Sequence, residues 1–147
     1  MPDVALESMD EAQCLQHISA GGIGRLCFAG RFDLTVLPVN YVLQDNSIVF
    51  RTAPGGTTEE DLRTGIGVDR AEYRVAFEVD NFDAGTRTGW SVLIQGPAHH
   101  VDSEVERAEA EAAGLETWAG NSRDHFIRIT PVRITGRCIR RTAAAAS

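Results

Sequence analysis

LTVLPVNYVLQDNSIVFRT, residues 34–52, decides the fold. Residues 34–43 read as one strand. Val36, Pro38, Asn40 and Val42 share one face of it, and Leu37, Val39, Tyr41 and Leu43 share the other, because successive side chains of a strand alternate. QDNS, residues 44–47, is a turn, and SIVFRTA starts a second strand, so the two runs form a hairpin. Pro38 has no N–H to give a ladder. It must therefore mark an edge, a bulge or an opening in the sheet.

Strand signals continue on both sides of this hairpin. GRLCFAG, residues 24–30, is short and apolar. YRVAFEVD, residues 73–80, alternates cleanly, with Val75, Phe77 and Val79 on one side. GWSVLIQGPAHHV, residues 89–101, is another strand, and HFIRITPVRITGRCIR, residues 125–140, is a strand pair or one strand bent about Pro131. Helix signals are fewer. Ser8 and Glu11 fit a capping box ahead of Met9, Ala12, Leu15 and Ile18, and Gly21-Gly22 stops that helix. A short helix is expected near residues 58–64. Ser103 and Glu106 repeat the capping pattern before a polar helix that runs to about Ala113. Short, hairpin-linked strands that are apolar on both faces predict a mainly β protein, a small antiparallel barrel with helices attached. The 147 residues form one domain, with flexible ends at residues 1–7 and 142–147.

Composition narrows the function classes. The formal net charge of −7 argues against nucleic acid, whose phosphates need clustered Lys and Arg. Arg133, Arg137, Arg140 and Arg141 are a local basic exception. The three cysteines, Cys14, Cys27 and Cys138, are scattered and form no CxxC pair, so free thiols are expected rather than a zinc knuckle. No leader peptide and no long apolar run is visible, which predicts a cytoplasmic protein without a membrane segment.

The common catalytic motifs are missing. GGIG at residues 21–24 follows a helix and precedes a strand, the wrong order for a phosphate-binding βα turn. G-x-S-x-G is absent, and Ser91 lies inside a strand. His99 and His100 point to opposite faces and cannot readily share a metal, so no metal site is expected. His17 and His125 are isolated. Glu78, Asp80 and Asp83 are expected in a solvated loop after a strand. Trp90 and Trp118 are expected in the core or an interface.

RTAPGGTTEEDLRTG, residues 51–65, fits two patterns at once. Arg51, Thr52, the N–H groups of the glycine turn and Arg63 suit a phosphate. Thr57 and Glu60 fit a capping box instead, and Glu59, Glu60 and Asp61 favour the positive helix end while opposing an anion.

The ordered pieces together resemble the flavin-binding split-barrel family related to pyridoxamine 5′-phosphate oxidase, and are similar to its small actinobacterial members. The similarity spans residues 8–141 and rests on P-V-N-Y, F-R-T-x-P-G and the ending W-A-x-x-x-R-D-H-F-I-R-I-x-P-x-R-I-T-G-R. It implies a six-stranded antiparallel split barrel and a homodimer with cofactor sites at the interface. FMN is the usual cofactor, with the deazaflavin coenzyme or haem in some relatives and none where the phosphate corner has degenerated. On this sequence it implies Pro38, Val39 and Asn40 along the isoalloxazine ring, and Arg51 and Thr52 at the phosphate. Ser91 and Gln95 are implied as ring or ribityl contacts on a facing strand, and Trp118 and Arg128 as contributions of the partner subunit. Thr57 stands where relatives carry a Lys. The implied chemistry is hydride or two-electron transfer with a small-molecule substrate, and no residue stands out as an acid–base catalyst.

Overall fold

A computed structural model describes residues 4–30, 33–52, 73–101, 103–112 and 125–142. The expected helix near 58–64, Thr57, Trp118 and the tail beyond residue 142 lie outside these residues. In chain order the elements are β1 (Val4–Met9), α1 (Glu11–Ile18), β2 (Gly22–Gly30), β3 (Asp33–Gln44) and β4 (Ser47–Thr52). Then come β5 (Tyr73–Asp83), β6 (Thr88–His100), α2 (Glu104–Ala112), β7 (His125–Ile129) and β8 (Arg133–Arg141).

Six strands close into an antiparallel barrel in the order β6-β5-β2-β3-β4-β7, with β7 returning to pair with β6. β8 and β1 extend the sheet outward from β6. The hairpin of the decisive stretch turns at Asp45 and Asn46, whose φ angles are 50° and 60°. Both residues tolerate the left-handed region, and two such residues make the turn whose twist matches the flanking strands.

The alternation read from the sequence sets inside and outside. Tyr41 is 2% exposed and joins Leu26, Phe28, Phe50, Phe77, Val92, Ile94 and Ile127 in one core, with Leu37, Val39 and Leu43 packed against it. Phe77 lies over Gly24, where an added Cβ would come within 2.3 Å of the ring. Outside, α2 covers one patch of the barrel through Val49, Val101, Ala110 and Phe126, with Val42 beside them.

The N-terminus departs from the sequence reading. Residues 4–9, expected at a flexible end and a helix start, instead form β1, paired with β8 from Val4↔Arg141 to Met9↔Gly136. The capping box moves two residues: the Asp10 carboxylate accepts from the Gln13 N–H at 2.8 Å, and Gln13 Oε1 accepts from the Asp10 N–H at 2.9 Å. Asp and Gln satisfy the same geometry as Ser and Glu, and the two-residue shift leaves Ser8 free to pair in the strand. α1 then plugs an end of the barrel. Its Cys14 and Ile18 are buried, and the Tyr41 hydroxyl donates to the Ile18 carbonyl at 2.9 Å. Burial and the nearby Asp10 and Glu11 push the Cys14 thiol pKa up, so it stays a thiol.

The Pro131 question resolves as a bulge. Ala98 pairs with Ile129, and Gln95 pairs with Arg133, so Thr130, Pro131 and Val132 face only Gly96 and Pro97. One extra residue bends the strand and lets β7 and β8 follow β6 in different directions. Pro131, which cannot donate, sits where the ladder skips a residue.

Candidate functional site

The candidate site grows from a fork. β4 pairs with β3 only from Tyr41↔Phe50 to Gln44↔Ser47. Beyond that couple the strands part: Asn40, Val39 and Pro38 stay on β2, while Arg51 and Thr52 pair with Phe126 and His125 of β7. Pro38 therefore lies on a stretch of β3 whose β4 side carries no strand among the described residues, the edge its missing N–H demands. Such a strand offers backbone carbonyls and amides to a flat, polar-edged ligand.

Faces follow from the alternation. Val39 points into the core, and Asn40 shares the outer face with Pro38 and Val42. Arg51 shares the outer face with Val49, and its guanidinium lies 5.4 Å from the ring centroid of Phe126. That is cation–π range, and it sets the charge over β7 at the end of β4 where the strands part. Thr52 ends β4.

The remaining expected residues lie elsewhere. Arg128 is tied down within its own chain: Nη2 donates to Gln44 Oε1 at 3.1 Å, and Nε lies 3.7 Å from Glu106 of α2. Ser91 and Gln95 sit on the outer face of β6 and are half-buried. In the sheet, β2 and β5 stand between β3 and β6, so these two residues are about 14 Å from the Pro38–Asn40 arm at three strand spacings.

Between them lies a polar group that the sequence assigned both to the strand 73–80 and to a loop after it. Glu78 and Asp80 are inside β5 rather than in a loop after it, and both point outward. Arg25 Nη1 of β2 donates to Glu78 Oε1 and to Asp80 Oδ2, each at 3.1 Å. Burial pushes the Glu78 pKa up to about 7, helped by the Asp80 carboxyl beside it and opposed by Arg25. Arg25 also pairs in register with Pro38, so Pro38, Arg25, Glu78, Leu93 and Thr135 form one row across the outer face. The strict alternation of YRVAFEVD carries the signal that Glu78 and Asp80 share a face. Their cation comes from a strand 53 residues earlier in the chain. Asp83 ends β5 and accepts from the Gly85 and Thr86 amides at 2.8 and 3.2 Å, a turn-making role.

Among the described residues no group of three His, Cys, Asp or Glu side chains is placed to hold a metal ion. The His17 ring of α1 rests on Trp90, centroids 4.8 Å apart. Cys14, Cys27 and Cys138 are all free. Among the described residues no helix is long and apolar enough to cross a membrane.

A closed six-strand barrel, forked between β3 and β4 and extended by β8 and β1, defines a split-barrel protein. The chain belongs to the pyridoxamine 5′-phosphate oxidase family, whose sequence pattern it matches over residues 10–138. It is similar to an uncharacterized protein of Mycobacterium tuberculosis, 27% identical over 128 residues, covering 87% of this chain and 82% of that one. Among solved structures it is similar to the FAD binding protein of Mycobacterium smegmatis, with TM-score 0.74 and 30% identity over 91% of this chain and 100% of the other. A pyridoxamine 5′-phosphate oxidase-like protein of Corynebacterium glutamicum matches with TM-score 0.72 and 25% identity, over 94% of each chain.

Proposed function

We propose that this protein binds a flavin at the β3–β4 fork and acts as an oxidoreductase on a small molecule, working as a homodimer. The fork carries the reading: Pro38–Asn40 and Arg51 lie on the two strands that part there. The residues present fit such a group. The β3 edge, which no strand among the described residues covers, offers donors and acceptors to a ring system, and Arg51 offers a positive charge to a phosphate. The bound flavin would supply two-electron transfer, and the chain's share is orientation and electrostatics. Pro38 leaves the edge without a donor at one point, so the ring would take its hydrogen bonds from neighbouring amides. Asn40 adds an amide that both donates and accepts. Family membership and a 30% identical FAD binding protein support this reading.

The homodimer draws support from the outer face of β3, where Leu34 is 74% and Val36 59% exposed. Apolar groups clustered in this way are what a partner surface covers. Sedimentation of a 16.0 kDa monomer at micromolar concentration would count against it.

The acids Glu59, Glu60 and Asp61 favour a second reading, a split barrel that binds ligands without turnover. Titration followed by visible absorbance separates the readings. FMN, FAD, the deazaflavin coenzyme and haem are each added to purified protein. A shifted flavin or deazaflavin spectrum with micromolar affinity, weakened about tenfold by Arg51→Ala, is expected. No spectral change with any flavin sinks the proposal, and a Soret band on adding haem alone would replace it.

A further inference from the structure

β1 ends the sheet. It pairs with β8 on one side, and no strand among the described residues pairs with the other. A bare edge is a template for another strand, and proteins blunt such edges with Lys, Pro or a bulge. VALESM has neither Lys nor Pro, and its six pairs with β8 run without a break. Leu6, in the middle of it, is 62% exposed. Its one charged side chain, Glu7, is drawn to its own sheet, where Arg140 Nη2 lies 2.7 Å from Glu7 Oε2. The edge is regular along its length and carries no guard against strand addition.

The residues of the edge say what fits it. Two copies related by a two-fold axis normal to the sheet would pair their β1 strands antiparallel, with outer face continuing into outer face. Two such registers pair five of the six residues, 4–8 or 5–9. The second sets Glu7 opposite Glu7 of the other copy, and like charges directly opposed are destabilising. The first centres on Leu6, and its neighbours agree. On the outer face Leu6 would meet Leu6, and with Ile139 behind each, four apolar side chains would line one row. On the other face Ala5 would meet Glu7 of the second copy. Ala5 is the register partner of Arg140, so the guanidinium would reach over a short side chain toward that carboxylate. Two Arg140 and two Glu7 side chains would then form one balanced cluster. Arg137 of one copy and Arg141 of the other would share a row at three strand spacings, about 14 Å. That exceeds the Debye length of about 8 Å at physiological salt, so their repulsion is screened.

We propose that β1 is a self-pairing edge: the β1 strands of two copies of this chain join antiparallel about Leu6 and make one continuous sheet. The contact is separate from the β3 surface assigned to the homodimer, because β8, β6, β5 and β2 stand between β1 and β3 in the sheet. It needs no bound flavin. Used together, the two contacts join dimer to dimer, and that larger assembly alone rests on the homodimer proposed above.

Sedimentation of the purified full chain over a concentration series tests this. Association through β1 is expected with Kd below about 100 µM, and Leu6→Lys, which sets two ammonium groups opposite each other, should weaken it at least about tenfold. Val105→Lys, comparably exposed on α2, should change nothing. Equal melting temperatures for the two lysine variants exclude misfolding. Leu6→Cys should be joined to its copy by mild oxidation, giving a two-chain band that the unaltered protein lacks, because opposed residues hold their Cβ atoms within about 5.5 Å. Val36→Lys separates this contact from the homodimer. If Leu6→Lys lowers the mass and Val36→Lys does not, the β1 contact stands and the β3 homodimer falls; if only Val36→Lys lowers it, the homodimer stands and the β1 contact falls. Leu6→Lys sedimenting like the unaltered protein, or Leu6→Cys remaining a single chain under oxidation, overturns the proposal.

Discussion

Gly96→Ala should be far more damaging than its size suggests. In an ordinary strand the change would be neutral or mildly stabilising, because Ala restricts the unfolded chain, an effect of about 0.4–1 kcal/mol. At Gly96 an added Cβ would lie 2.0 Å from the Thr130 carbonyl oxygen and 3.1 Å from the Val132 nitrogen. Both are backbone atoms of the bulge, so no side-chain rotation relieves the clash. A carbon–oxygen contact needs about 3.3 Å, so the bulge must retreat from β6 by more than 1 Å. Two hydrogen bonds span that gap, Thr130 N–H to the Pro97 carbonyl at 3.0 Å and Val132 N–H to the Gln95 carbonyl at 2.9 Å. Each contributes about 1 kcal/mol net. Losing both, with overpacking of about 1–3 kcal/mol, gives a destabilisation of roughly 3–5 kcal/mol. Urea unfolding followed by tryptophan fluorescence measures it. Gly85→Ala is the control, since its Cβ would meet only the Asp83 carboxylate at 3.2 Å in an exposed turn. If Gly96→Ala unfolds at the same urea concentration as Gly85→Ala, the bulge is not the rigid closure argued here.

Three further outcomes follow from other parts of the molecule. Tyr41→Phe removes the donor to the Ile18 carbonyl and should cost about 1–2 kcal/mol in the same urea assay; the burial that pushes the Tyr41 pKa up to about 12 keeps that donor protonated well above neutral pH. Glu78 holds a proton in the folded chain up to about pH 7, against an ordinary carboxyl pKa of 4.5. Its contribution is therefore full below the ordinary value and lost as pH rises through 7, so melting temperatures of the unaltered protein should fall across that window relative to Glu78→Gln; parallel curves would refute the assignment. Asp10→Ala removes the α1 cap and should cost about 1 kcal/mol, while Ser8→Ala, at the capping position read from the sequence, should cost less than half of that.

Much of the fold was legible because strand periodicity is a local signal. The alternation at 34–43, the Asp45-Asn46 turn and the regular pattern at 73–80 each fix a strand and its inner face without reference to the rest of the chain. β1 escaped because VALES has no clean alternation and its stability comes from β8, more than 120 residues later. The helix cap was misplaced for a related reason. Several nearby residues can satisfy one orphan amide, and only the pairing of Ser8 with Arg137 removes it from the choice.

Site residues were legible to the extent that they lie on consecutive elements. Pro38, Asn40 and Arg51 meet because a tight hairpin joins their strands, and the fork opens where pairing ends at Tyr41↔Phe50. Ser91 and Gln95 are implied only by the family resemblance, and strand order in the closed sheet sets β2 and β5 between β3 and β6. The same strand order creates what the sequence could not display. It brings Arg25 to Glu78 and Asp80, and it lines up Cys27, Ala76, Gln95 and Arg133 in one row. The relief of that row depends on which short side chains fall beside which long ones across four strands, and that is fixed by register. A one-residue slip of β5 against β6 would turn Ala76 inward and bring Val75 or Phe77 to the outer face. The bulge at Pro131 is the place where this register is pinned between β6 and the β7–β8 pair, so the barrel's closure and this row rest on the same few backbone hydrogen bonds around Gly96.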